Sequence, residues 1–198
     1  NNPTGNFLPY PEVRAFLEAV PQDVVVVLDA AYHEYLPPAE RVDTAAWIKD
    51  FPNLVVTRTF SKIFGLAGLR VGYALASAEI ADLMNRVRQP FNVNNLAIAA
   101  AIAALDDHLF VAESYELNRR GMEQIVAGLK RLGLEHIPSH GNFVTFRAGD
   151  GAGVNQKLLK QGVIVRPIGG YGLPEWLRVT IGTEPENARF LEALEKAL

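Results

Sequence analysis

The chain has 198 residues, 49% of them apolar and 21% charged, enough for one large domain or two smaller ones with a real core. Its net charge of −3, from 19 basic and 22 acidic residues with no long basic run, argues against a nucleic-acid partner. Cysteine is absent, which excludes a disulfide framework and thiolate chemistry and agrees with a cytoplasmic protein.

The chain opens on Asn1-Asn2-Pro3-Thr4-Gly5, a run of turn residues without a methionine, which predicts that it is part of a longer polypeptide. Residues 11–20 carry apolar side chains at helical spacing behind Pro11. The β-branched run 24–28, ending in Asp29, predicts a strand buried on both faces, as in a parallel sheet. Residues 54–59 and 70–76 predict two more strands, and Ser77 caps a helix to about Arg88. Strands and helices alternate here, so this half reads as α/β. The break at 89–94 predicts the end of the first domain, placed with the following apolar helix at residues 1–105. That alanine-rich helix, 96–105, is the most apolar window, and it is far too short to span a membrane. A long amphipathic helix, 109–132, ends before Gly133, a suitable C′ residue. A strand (142–146), a flexible Gly-rich turn (149–153), a helix (154–161), strands at 163–166 and 177–181, and a helix from Glu184 complete a small α+β domain, residues 106–198.

Polar residues at the carboxyl ends of strands are where an open α/β sheet builds its site. Asp29 and the run Thr59-Phe60-Ser61-Lys62 stand at such ends, with Arg70 just beyond. An amine, two hydroxyls and a guanidinium on one short segment suit an anionic, aldehyde-bearing cofactor. A partly desolvated Lys62 beside a cation such as Arg70 is a usable Schiff-base former, and Thr59, Ser61 and Arg70 can hold a phosphate. The competing reading is a surface lysine in a turn. Asp29 can keep a pyridine nitrogen protonated, which makes the ring an electron sink; otherwise it caps a turn. Tyr32 and Asn2 can hydrogen-bond a ring oxygen; otherwise Tyr32 is a packed aromatic. Arg178, in the apolar strand Leu177-Arg178-Val179, predicts a facing carboxylate or phosphate, or else an internal ion pair with a glutamate. Arg166 is a weaker case of the same kind. His136 and His140 flank Pro138 and do not make a helical metal pair.

Taken together, Asn2-Pro3-Thr4-Gly5, Asp29-Ala30-Ala31-Tyr32, Ser61-Lys62 with Gly65-Leu66 and Arg70-Val71-Gly72, and Arg178 resemble, in order, the fold-type I pyridoxal-phosphate enzymes, specifically the class I/II aminotransferases. The resemblance covers nearly the whole chain. It implies part of a large, mainly parallel sheet domain followed by a small α+β domain. It implies that Lys62 binds pyridoxal 5'-phosphate covalently and then serves as the base, that Asp29 pairs with the ring nitrogen, and that Tyr32 and Asn2 bond the phenolic oxygen. Thr59, Ser61 and Arg70 contact the phosphate, and Arg178, with Arg166, binds substrate. In the family the bond before Pro3 is often cis, and a homodimer is expected. The tail Gly169-Gly170-Tyr171-Gly172-Leu173-Pro174-Glu175-Trp176 is closest to the histidinol-phosphate aminotransferase branch, which moves an amino group between glutamate and imidazole-acetol phosphate in histidine biosynthesis. Aromatic aminotransferases share much of it. A cofactor-binding effector domain of a transcription regulator and a fold-type I decarboxylase or lyase are the readings of other classes. The family's phosphate-binding turn, stacking aromatic and N-terminal segment all precede the Asn-Pro-Thr-Gly turn. They are not in these residues, so the resemblance implies an incomplete site in this fragment alone.

Overall fold

The structure, a computed structural model, describes residues 1–198. It forms two compact units, Leu8–Ala112 and a second that joins Asn1–Phe7 to Glu113–Leu198. These compact units meet along the chain after Ala112, and the opening turn groups with the C-terminal residues.

In the Leu8–Ala112 unit, Pro9 and Pro11 set the start of helix α1 (Tyr10–Ala19), which buries Val13 and Leu17. Strands β1 (Val26–Asp29), β2 (Leu54–Thr59) and β3 (Gly72–Leu75) follow in the spatial order β1-β2-β3. The β1–β2 pair is parallel and the β2–β3 pair antiparallel, so the sheet is mixed. One face, with Leu54, Val56, Val26 and Leu28, packs on Val13 and Leu17 of α1. The run 24–28 is not buried on both faces, as its composition suggests. Val25 and Val27 are 56% and 60% exposed, because α1 covers the alternate residues only. The strand also starts late, since the Val24 N–H bonds back to Pro21 in a turn. Ser77 and Asn94 cap helices α2 (Ala78–Val87) and α3 (Asn95–Asp106) through their side-chain oxygens.

Helix α4 (His108–Arg131) leads into the second unit. Gly133, at φ 70°, ends it as expected: its N–H bonds to Lys130 and that of Leu134 to Leu129. Strands β4 (His136–Ile137), β5 (Phe143–Arg147), β6 (Arg166–Pro167) and β7 (Trp176–Thr180) form an antiparallel sheet ordered β4-β5-β7-β6. Its core face (Val144, Phe146, Leu177, Val179) packs on Ile125 and Leu129 of α4, on Leu158 of α5 (Gly151–Lys160) and on Leu194 of α6 (Glu184–Ala197). The Gly-rich run 149–153 is not a flexible turn. Asp150 caps α5 by accepting from Gly153 N at 2.9 Å, so the helix starts at Gly151. The expected strand 163–166 shrinks to β6, because Val163 N still bonds to Leu158 O at the end of α5.

The opening turn covers the opposite face of this sheet. Thr145 Oγ1 donates to Pro3 O at 2.5 Å, and His140 N to Gly5 O at 3.0 Å. The Asn2–Pro3 peptide is cis.

Close packing between α4 and α6 rests on Gly121. Asn187 grips Gly182 through both main-chain groups, and a Cβ at Gly121 would lie 2.4 Å from Ile181 Cγ2 and 3.1 Å from Gly182 O. Overpacking costs about 1–3 kcal/mol and better helix propensity returns about 1 kcal/mol. Gly121→Ala is therefore expected to lower stability by up to about 2 kcal/mol in urea denaturation; an unchanged midpoint would mean that this contact yields freely.

Candidate active site

The parallel pairing of β1 with β2 places Asp29 opposite Thr57, on the sheet face away from α1. Asp29 Oδ1 accepts from Ala31 N at 3.1 Å and from Thr57 Oγ1 at 3.5 Å, which fixes the carboxylate and leaves Oδ2 open. After β2 the chain makes a closed loop. Phe60 N bonds to Val71 O, Leu66 N to Phe60 O and Gly65 N to Lys62 O, around the buried side chains of Phe60, Ile63 and Val71. Inside it, Thr59 Oγ1 accepts from Ser61 N at 3.0 Å. The half-buried Lys62 amine lies 5.4 Å from the centroid of the Tyr32 ring, and no carboxylate stands within ion-pair distance of it. Arg70, at φ 53°, donates to Ala67 O in its own turn, with its guanidinium exposed.

Beneath this group, on the α1 side of the sheet, lies a polar cluster that sequence reasoning missed. Arg58 alternates with Leu54 and Val56 on β2 and pairs with Glu34 at 2.9 Å, the side chains only 13% and 17% exposed. Glu34 sits in a 3-10 turn, His33–Tyr35, directly after Tyr32. Arg41 donates to the carbonyls of Glu34 and Leu36, and the Tyr10 hydroxyl and His33 Nδ1 share a 2.8 Å hydrogen bond. Burial, with Arg58 and Arg41 adding repulsion, lowers the His33 pKa to about 4, against a smaller opposing pull from Asp43. Burial, helped by Tyr32 and Glu34, raises that of Tyr35 to about 12. An arginine in an apolar strand is the same signal that singles out Arg178, so Arg58 could have been found. Its partner, 24 positions away, could not.

In the other unit, Arg178 projects from β7 onto the face lined by Phe143 and Thr145. Its Nη1 donates to Asn2 Oδ1, and the guanidinium lies 4.8 Å from the Phe143 ring centroid. Arg166 is its direct cross-strand partner on β6 and is exposed. Like charges opposite each other repel, and an anion between them relieves this. The site residues thus form two groups, one per unit: an amine, an anchored carboxylate and hydroxyls in the first, two arginines and an amide in the second.

The family model for aminotransferase class I and II matches residues 1–194. Histidinol-phosphate aminotransferase 1 of Dechloromonas aromatica (strain RCB) is 92% identical over all of this chain and 55% of its own length. The corresponding protein of Thiobacillus denitrificans (strain ATCC 25259 / T1) is 62% identical, over 52% of its length. The chain thus spans about half the length of the curated relatives it matches. Among solved structures, histidinol-phosphate aminotransferase from Sinorhizobium meliloti in complex with pyridoxal-5'-phosphate superposes with a TM-score of 0.91 at 31% identity, covering 99% of this chain and 55% of that one.

The His33 shift has a consequence for acid stability. The folded state holds the ring neutral down to about pH 4, while an unfolded histidine protonates near 6.5. Stability is therefore complete above about pH 6.5 and falls as pH drops toward 4. After discounting for partial solvent screening, the loss is about 1–2 kcal/mol. Urea midpoints at pH 7 and pH 4.5 are expected to separate more in the wild type than in His33→Gln; equal separations would assign the acid loss to other groups.

Proposed function

We propose that this chain, which belongs to the aminotransferase class I and II family, forms part of a pyridoxal-phosphate-dependent histidinol-phosphate aminotransferase. The reaction moves an amino group between glutamate and imidazole-acetol phosphate, giving 2-oxoglutarate and histidinol phosphate, in histidine biosynthesis. The observation that carries this reading is the Lys62 amine, held over Tyr32 and away from any acid, next to a strand end where Asp29 is anchored through one oxygen. We read residues 1–105 as the end of the large cofactor domain and 106–198 as the small domain. The protein is read as a cytoplasmic homodimer.

The residues fit the cofactor's chemistry. Pyridoxal phosphate, when bound, supplies a protonatable pyridine ring that draws electrons from the substrate carbon. Asp29 has a free oxygen, Oδ2, with which to hold the proton on the ring nitrogen. Tyr32 would donate toward the phenolic oxygen, and Thr59, Ser61 and Arg70 would bind the phosphate, with a rotation of Arg70 away from Ala67 O. Lys62 would hold the cofactor through Nζ; displaced by the incoming substrate amine, the freed Nζ would take the proton from the substrate carbon and pass it on rather than back to that carbon.

The arginines support the choice of substrate. Histidinol phosphate has no carboxylate, so its anionic end is a phosphate, and glutamate presents a side-chain carboxylate instead. Arg166 and Arg178, paired across β6 and β7, offer two guanidinium forks to either anion. The high identity to named histidinol-phosphate aminotransferases over the whole chain points the same way.

Borohydride reduction of the cofactor-loaded protein, followed by peptide mapping, is expected to place the pyridoxyl group on Lys62; an adduct elsewhere overturns the assignment. Lys62→Ala is expected to lower transamination by at least about 10³-fold, as loss of a positioned base does. Arg166→Ala is expected to raise KM for histidinol phosphate by about tenfold, one lost charge-assisted bond. If phenylalanine is instead the better donor and Arg166→Ala leaves KM unchanged, the aromatic aminotransferase reading replaces this one.

A further inference from the structure

We infer that Glu34 and Arg58 are positioning residues: their ion pair fixes the Tyr32 ring over the Lys62 amine. The inference rests on the proposed roles of Tyr32 and Lys62, but its geometry stands apart from them.

Tyr32 and Lys62 lie on different backbone segments, the turn after β1 and the loop after β2. Main-chain bonding ties these segments at Ala30 N to Thr57 O, and the β-ladder ends there. Beyond that point the turn has no ladder to hold it. The next links are side chains. His33 is held by Tyr10 from α1, and Glu34 by Arg58 from β2. Arg58 immediately precedes Thr59 in the strand that leads to Lys62, and Glu34 is two residues after Tyr32. The pair therefore joins the two segments within a few residues of both functional side chains.

The pair is also well placed to be rigid. Both side chains are more than four-fifths buried, so solvent screens them weakly. Arg41 donates to the Glu34 carbonyl, so the turn's backbone is held at the same residue whose side chain Arg58 holds. The Tyr35 ring, 6.4 Å from that of Tyr32, packs alongside. The ion pair lies on the α1 side of the sheet and Asp29 on the other, so it has no room to contact what Asp29 contacts. Its influence on Lys62 passes through Tyr32.

Two readouts test this, one without the cofactor and one with it. In the cofactor-free protein, the rate at which trinitrobenzenesulfonate labels Lys62 measures how well the Tyr32 ring shields the amine. Glu34→Gln is expected to raise that rate several-fold, Tyr32→Ala by a similar factor, and the double variant no further. In the loaded protein, Glu34→Gln is expected to shift the pH midpoint of the bound cofactor's visible absorption in the same direction as Tyr32→Phe. The charge-exchanged Glu34→Arg/Arg58→Glu variant rebuilds the pair and is expected to return the labelling rate toward wild type, and it serves if Glu34→Gln folds poorly. A purely structural pair would lower the melting temperature and leave both readouts at wild-type values, and additive labelling effects would separate Glu34 from Tyr32; either result overturns the inference. Failure of the proposed function is distinct from both: wild-type Lys62 would take up no cofactor, while the labelling experiment would still report on the ion pair.

Discussion

The parallel pairing of β1 with β2 is the constraint on which the first group of site residues depends. With Val26 opposite Leu54, Asp29 falls opposite Thr57 and both strands finish at one edge. A slip of one residue would turn Asp29 toward α1 and bring Leu28 out to the open face. Burial of Leu54 and Val56 against Val13 and Leu17 resists that slip. The core of this unit thus holds the carboxylate and the lysine loop in step by ordinary hydrophobic packing, without any direct contact between them.

Below the edge, polar contacts take over from packing. A 3-10 turn has little bonding of its own, and this one follows the last ladder bond. Arg58 and Glu34 replace the missing ladder with a charge-assisted bond in weakly screened surroundings. The cluster also explains why His33 stays neutral: two guanidinium groups and burial leave no room for a third positive charge. In the second unit the same logic appears at β7, where Arg178 is held by an amide and an aromatic face, with Arg166 across the ladder.

Much of this was legible from residue order. The helices and most strands were visible because caps and periodicity are local: Ser77, Asn94 and Gly133 each mark a boundary within a few residues. Lys62 and Asp29 stood out because they interrupt the pattern of apolar strands at their ends. What escaped depended on partners distant in sequence. Whether Val25 and Val27 are covered is a property of what packs on them, not of the strand. The antiparallel direction of β3 depends on how the loop 60–71 closes, and β4 is too short for any alternation to show. The Gly-rich run concealed an Asp150 cap because its glycines mimic a turn. Glu34 carries no local signal of its own, since its partner Arg58 lies 24 positions away.

The first residues of the chain are seated on a sheet whose nearest strand lies far along the sequence: Pro3 meets Thr145 across 142 positions. The unit that contains them is discontinuous, with Leu8–Ala112 inserted in its sequence. Closing so long a loop costs entropy before any contact rewards it, and such non-local contacts slow folding. On a ribosome, Asn1–Phe7 emerges before β5 and β7 and finds its seat only once those strands have been made. Asn2, which meets Arg178 there, is accordingly synthesised long before the partner that holds it.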